Sequence, residues 1–429
     1  MNVVDWDSLA EKDRAAALRR PTAVPDADRR AKVAAIIADV RARGDAAVRH
    51  YTQLFDWADV AELTVPAAEL ARAWDGIGAD VRAALASAAA RIEAFHKAQA
   101  PGAISLETAP GVSCERRFVP LDTVGLYAPG GSAPLVSTVL MVGIPARLAG
   151  CRRRILATPP GRDGRVDARL LAAAKLAGMT QVVRAGGAQS IAALAYGTES
   201  VPKADKIFGP GNSWVAEAKR QAAEDPEGAA QDLPAGPSEV FIIADDSANP
   251  VFVAADLLAQ AEHGEDSQVL LASPSRALLD VVKEELDRQL ATLPRAKIAA
   301  AALSHGLLAL TKDLAQALEI SERYAPEHLI LQTREDEALA GGVRRAGAVF
   351  LGPWAPEAVG DYASGPNHVL PTGGAARAFG GLGLESFLRP VTFQRLTRAG
   401  LKAVASDVEV LSKVEGLDAH GRSVTLRNA

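Results

Sequence analysis

Apolar residues recur at helical spacing among Arg, Asp and Ala over residues 26–55 and again over 67–99, which predicts long amphipathic helices at the start of the chain. His50 and His96 fall on these helices among charged neighbours and read as surface residues. Past Pro101 and Gly102 the pattern shortens into β-rich runs, with strands predicted at 114–119 and 123–127. A turn at Gly130 and Gly131 then joins an apolar helix, and RRILATP supplies the next strand. The order repeats as a helix at 167–177, a strand at 181–184, a turn at Gly186 and Gly187, a helix at 189–196, a strand at 206–208 and a helix after Gly211. Such alternation implies a parallel sheet wrapped by helices.

In DLPAGPSEVFIIADD, residues 232–246, two prolines in a turn precede a strand at 239–244, and here the chain leaves one sheet and enters another. A second α/β series follows, with strands predicted at 268–272, 329–331 and 348–351 and helices at 276–293 and near 313–323. Its first helix has Asn249 and Pro250 as an N-cap and first-turn pair, Val253 and Leu257 at helical spacing, and Gly264 placed to stop it. The stretch AQAEHGEDSQVLL, residues 259–271, is the end of that helix turning into a buried strand. On it Gln260 and His263 are three residues apart and share a face. Two readings are open for this pair: an amide oxygen and an imidazole nitrogen offered to a metal, or a capping glutamine beside a satisfied core histidine.

Composition narrows the class. At 429 residues the chain exceeds what one core usually serves, so two large domains with smaller appendages are expected. The 47 basic and 52 acidic residues leave a net charge of −5 without long blocks, which gives no footprint for nucleic acid or an anionic membrane. Cys114 and Cys151 are too few for a disulfide framework, which suggests a reducing compartment, and both read as buried small hydrophobes. The N-terminus carries acids where a secretion signal needs a basic start, so a cytoplasmic location is expected. The best apolar run, residues 139–146, is far below the roughly 20 residues of a membrane span, and no transmembrane helix is expected.

Candidate chemistry lies mostly in loops. The turns at 184–190 and 208–214 can each present helix N-terminal amides to a phosphate, or can be plain strand-to-helix turns. Tyr127 can stack a flat ring or fill a core. YAPEHLIL sets Glu327 and His328 just before a strand, where α/β folds expose functional side chains. Asp361 and His368 lie in the Gly- and Pro-rich stretch 360–374, and Glu415 and His420 on a short helix and its exit near the C-terminus. Together Gln260, His263, Asp361 and His420 offer two nitrogen and two oxygen donors, a set that suits Zn²⁺. Glu327 can then activate water, and His328, with an ordinary pKa of about 6.5, can carry protons.

DLPAGPSE, DLLAQAEHGEDSQVLL, YAPEHL, GDYASGPNHVLPTGG and EGLDAH, in this order and spacing, resemble the histidinol dehydrogenase family. The resemblance spans nearly the whole chain, through FHKAQ, GVSC, GLYAPGG, GGAQSIAALAYGT and FGPGNSWVAEAKR. It implies oxidation of L-histidinol through L-histidinal to L-histidine with two NAD⁺, the closing steps of histidine biosynthesis. Carried over by residue, it implies one Zn²⁺ per subunit on Gln260, His263, Asp361 and His420, with those four, Ser238, His328 and Glu415 around the substrate. It assigns deprotonation of the alcohol to His328 and activation of water at the aldehyde stage to Glu327. Contacts to NAD fall on Tyr127, Gln189 and Asn212.

The fold so implied is α/β: two incomplete Rossmann-like domains, one inserted in the other, with N-terminal helices and a C-terminal tail that crosses to the partner of a homodimer. The corresponding limits are an arm at 1–25, a main domain at 26–127 and 236–380, an inserted NAD-contacting domain at 128–235, and the tail at 381–429. Glu415 and His420 would then complete the other subunit's site. Departures from the family pattern are Gly383 and Leu384 in place of Ser-Val, Pro390 in place of a basic residue, and Ser190 in place of a small apolar one. The alternatives are a related zinc and NAD dehydrogenase acting on another polar alcohol, a zinc hydrolase using Glu327, and a silent binding protein.

Overall fold

The computed structural model describes residues 1, 3–21, 26–130, 134–234 and 236–428; Gly131 of the predicted turn lies outside them. Among the described residues, six parallel strands form one sheet in the order Val3–Asp5, Leu307–Leu310, Gln268–Ser273, Glu239–Ala244, His328–Gln332 and Ala348–Leu351. Its central strands Glu239–Ala244, Gln268–Ser273 and His328–Gln332 are buried at every position, as strands covered by helices on both faces must be. In register, Gln268 lies opposite Glu239, and His328 opposite Val240. Three adjacent strands thus present Glu239, Gln268 and His328 at their amino ends.

A second parallel sheet runs Gln181–Arg184, Arg153–Thr158, Thr123–Tyr127, Lys206–Phe208 and Ala230–Gln231. The helix Val136–Ala149 is apolar on every side because residues from Ser137 to Ala146 are buried. No helix of the described residues is long and apolar enough to cross a membrane. The α/β expectation therefore holds, with two parallel sheets in one chain.

The helices Ala27–Arg43 and Asp45–Asp56 set Val33, Ile36, Val40 and Val48 against Ile155, Val183 and Ile207 of the second sheet. These two helices of segment 26–127, grouped with 236–380 from the family resemblance, pack on the five-stranded unit, to which the strand Thr123–Tyr127 belongs, while the first residues of the chain pair with the six-stranded one. Helical periodicity reports that a face needs cover; it does not report which sheet covers it.

A third, antiparallel sheet joins Ile104–Ala109 and Val112–Pro120 to Leu388–Leu396. Pro390 lies on the outer strand, where a missing N–H is tolerated. The helices Arg398–Val414 and Asp418–Asn428 follow and pack on one another, longer than the short helix expected there. They leave Val410, Leu411, Val414 and Leu426 exposed.

His96 is a correction: it is fully buried, its Nδ1 2.8 Å from the Ile92 carbonyl and its Nε2 3.2 Å from Asn367 Nδ2. Its charged sequence neighbours point elsewhere, and the loop carrying Asn367 covers it. His50 is exposed as read. Of the two free cysteines, Cys151 is buried and Cys114 partly exposed.

Candidate active site

Gln260 sits in the last turn of the helix Pro250–Ala261. Asn249 caps that helix by accepting from Val251 N at 2.9 Å, and Val253, Leu257 and Ala261 bury its inner face. The helix closes at Glu262, so His263 lies in the turn just past it, its backbone N–H donating to Gln260 O at 3.3 Å. Gln260 is fully buried and His263 exposed at the rim.

Glu357 and Asp361 approach from the short helix Glu357–Tyr362 and are both buried. The surroundings set the Gln260 amide with its nitrogen donating to the two Glu357 carboxylate oxygens at 2.6 and 2.9 Å. His263, Glu357 and Asp361 each offer a ligand atom, and these lie within 4.8 Å of one another. His368 Nδ1 stands 3.7 Å from Asp361 Oδ1. The structure thus gathers Gln260, His263 and Asp361 and adds Glu357 and His368. Glu357 was missed from the sequence, although its place four residues before Asp361 on PEAVGDY is a same-face signal.

Glu327 and His328 follow the helix Leu314–Tyr324, whose chain reverses through Ala325 at φ 55° before the strand begins. Both are buried rather than displayed on a loop, and they stand at the amino end of their strand. That is opposite to the carboxyl ends where open α/β sheets ordinarily bind ligands. A carbonyl can only accept, so Glu239 O, 3.1 Å from His328 Nδ1, favours the ring proton on that nitrogen, against the Gln260 amide nitrogen, which also stands 3.1 Å from Nδ1 in the orientation that binds Glu357. Nε2 is left buried, unpartnered and able to accept. Glu239 N donates to Glu327 Oε2 at 2.9 Å. Ser238, the residue before, is half-buried, its carbonyl accepting from Gln268 N at 3.1 Å.

Burial dominates the ionisation of this cluster. It lowers the His328 pKa to about 4, so the ring is neutral at pH 7. It raises Glu327 well above the usual carboxylate range against the opposing Glu239 N–H, and raises Glu357 likewise, with Asp361 adding repulsion. For Asp361 burial pushes upward, but the hydrogen bond and charge of His368, with His328 and His263, outweigh it and lower the pKa. Buried carboxylates that repel one another create a demand for positive charge between them.

A second group of polar atoms stands at the carboxyl ends of the five-stranded sheet. Tyr127 closes its strand and is buried, its hydroxyl accepting from Gly187 N at 3.5 Å. Gln189 is buried with neither amide atom partnered among the described residues, and Thr158 Oγ is likewise unpartnered among them. Asn212 caps the helix Ser213–Glu224, accepting from Trp214 N and Val215 N at 3.1 Å. Gly209 holds φ +114° between Asp232, which accepts its N–H at 2.8 Å, and Lys219, which donates to its carbonyl at 3.0 Å. Ser190 donates to Gly187 O at 2.8 Å and so tightens the first helical turn.

Glu415, in the turn between the tail helices, and His420, on the second of them, are exposed and make no hydrogen bond or ion pair to either group among the described residues. One copy of the chain does not bring them to the cluster.

Two parallel-sheet units, one ending in unpartnered polar atoms at its carboxyl edge and the other holding a neutral buried imidazole among carboxylates, define an α/β enzyme. A family model described as histidinol dehydrogenase matches residues 19–428. A histidinol dehydrogenase of Xanthomonas campestris pv. campestris (strain 8004) is 53% identical over 427 residues, covering 100% of this chain and 99% of that one. One from Vibrio parahaemolyticus (serotype O3:K6) is 49% identical over 427 residues, covering 100% and 98%. The solved histidinol dehydrogenase of Elizabethkingia anophelis superposes with a TM-score of 0.94 at 41% identity, covering 100% of this chain and 98% of that one. The chain belongs to the histidinol dehydrogenase family and is an oxidoreductase.

Proposed function

We propose that the protein oxidises L-histidinol through L-histidinal to L-histidine in the closing steps of histidine biosynthesis, with two NAD⁺ as hydride acceptors. The observation that carries this reading is His328: a neutral, buried imidazole whose Nε2 has no partner among the described residues and whose Nδ1 stands 3.1 Å from the Glu239 carbonyl. A side chain so held is a base with one free lone pair.

The donor set fits Zn²⁺: an imidazole, a carboxylate held ionised, and an amide oxygen left free when its nitrogen binds Glu357. Gln260, His263 and Asp361, with His420 of a second copy, would hold it. When bound there it would supply mainly orientation, gripping the imidazole and amine of the substrate. For NAD⁺ the fit rests on Gln189, whose orphaned amide lies on the same helix turn as Gly187, the residue that donates to the Tyr127 hydroxyl. Buried amide groups without partners are costly unless a ligand supplies them.

In the first oxidation His328 Nε2 takes the hydroxyl proton as the carbinol carbon gives up hydride, leaving the aldehyde. Glu327, ionised once positive charge enters the site, takes a proton from water that adds to the aldehyde carbon; the hydrate then loses the second hydride, and the resulting acid gives its remaining proton to solvent to leave the carboxylate. Ser238 and, from a partner, Glu415 would flank the substrate. The exposed apolar residues Val410, Leu411 and Val414 favour a homodimer in which the tail helices are covered and deliver Glu415 and His420 to the neighbouring site. A cytoplasmic location is in keeping with this biosynthetic role.

The test is NADH formed per L-histidinol consumed, before and after chelation and zinc restoration. Two per substrate, lost on chelation and regained with zinc, is the expected result. NADH from another polar alcohol and none from histidinol would overturn the substrate.

A further inference from the structure

Glu239 stands between the two catalytic side chains and is attached to both through its backbone. Its N–H donates to Glu327 Oε2 at 2.9 Å, and its carbonyl accepts from His328 Nδ1 at 3.1 Å. These groups belong to the two peptide planes that flank one Cα. Whatever fixes the orientation of that Cα therefore fixes both contacts together.

The Glu239 side chain is nearly wholly buried and is gripped by Arg20 from the N-terminal arm. Arg20 Nε donates to Oε1 and Nη2 to Oε2 at 2.9 Å, a two-pronged pair, while Gly373 N adds a bond to Oε1 at 3.0 Å. Arg20 is itself immobilised. Its Nη2 donates to the Tyr324 carbonyl at 3.0 Å, and its guanidinium lies 3.9 Å from the centre of the Tyr324 ring. The Tyr324 hydroxyl in turn donates to Gln268 Oε1 at 2.9 Å, and Gln268 lies opposite Glu239 in the sheet. Arg20 closes a frame around a single strand-opening residue.

We propose that Arg20 is a positioning residue: by clamping the Glu239 carboxylate it holds the two peptide planes that set Glu327 and His328 for reaction. The inference rests on the functional reading above and deepens it. Without the guanidinium, Glu239 keeps a buried charge with one amide partner, and the side chain turns toward water. That rotation swings both flanking peptides and detunes the base and the water-activating carboxylate at once.

The test uses the full-length, zinc-loaded enzyme. Arg20→Ala is expected to lower kcat roughly a hundredfold with L-histidinol and with L-histidinal alike, the scale of an ångström-sized misplacement, with little change in KM. A cavity lined by Arg20, Pro21, Glu239 and Gly373 opens beside the pair, so added guanidinium ion should restore part of kcat. The ¹⁵N spectrum of His328 should show the Nδ1–H signal of the wild type weakened in Arg20→Ala. Arg20→Lys, which keeps charge without the fork, should fall between the two, and it carries the test if Arg20→Ala does not fold.

Wild-type kcat in the folded variants, or a loss that guanidinium does not relieve and that leaves the His328 signal unchanged, overturns the proposal. If the wild type forms no NADH from histidinol, the functional reading fails by itself. The His328 signal in the same variants still decides whether Arg20 positions that ring.

Discussion

His328 and Glu327 share one anchor and should divide the chemistry. His328→Asn is expected to depress both oxidations, and Glu327→Gln mainly the second; separate turnover of L-histidinol and L-histidinal checks this, and equal losses in both steps for both variants would reject it. The pH dependence of stability follows from burial. The folded His328 pKa of about 4 lies below the ordinary value of 6.5, so between these values the unfolded chain binds the extra proton. Stability then rises with pH across that window, by up to about 1.4 kcal/mol per pH unit from this residue. Glu327, whose folded pKa is raised, acts with the opposite sign, so the comparison must be between wild type and His328→Gln in urea unfolding of the metal-free protein at pH 4.5 to 7. The variant should lose the His328 part of the slope. Among single residues, the nearness of Gln260 and His263 was written locally as a three-residue spacing, although the helix closes at Glu262 and His263 falls in the turn past it. Glu357 offered only its four-residue spacing from Asp361, because its partner Gln260 lies 97 positions away by their sequence numbers, and His96 was misread because its cover comes from Asn367.

At the scale of elements, the helix Pro250–Ala261 carries Gln260 and depends on the Asn249 cap. Asn249→Ala should cost about 1 kcal/mol of stability, read by urea unfolding, with the fold unchanged. Gly209→Ala is expected to be more damaging, since its φ of +114° excludes a side chain and a Cβ would meet the Tyr127 carbonyl at 2.1 Å. The measurement is the affinity for NAD⁺ by calorimetry, which should weaken as the turn beside Asn212 distorts. Strand and helix alternation was readable because a period of two or of 3.6 is written locally. The strand Leu388–Leu396 was not readable, since it is exposed, interrupted by Pro390, and paired with residues from Val112 to Pro120 far earlier in the chain.

Across the whole molecule the two sheets present their candidate groups at opposite ends: the six-stranded sheet at its amino ends, the five-stranded sheet at its carboxyl ends. A mixed dimer tests whether the tail bridges subunits. His420→Asn should lose zinc and activity, and activity should return when it is paired with a tail-intact, His328→Asn chain. Confirmed mixed dimers that stay inactive would count against a shared site. Which sheet each segment covers, and which subunit each tail serves, are long-range choices that no local pattern encodes.

The strand Val3–Asp5 pairs with Leu307–Leu310, and Arg20 of the same arm reaches Glu239. The strand Val3–Asp5 therefore has no docking surface until some three hundred further residues have been made. Closures over so long a separation come late in folding. The arm ties completion of the six-stranded sheet to completion of the chain: a half-made chain can form its helices and its five-stranded sheet, yet its arm has nothing to close on.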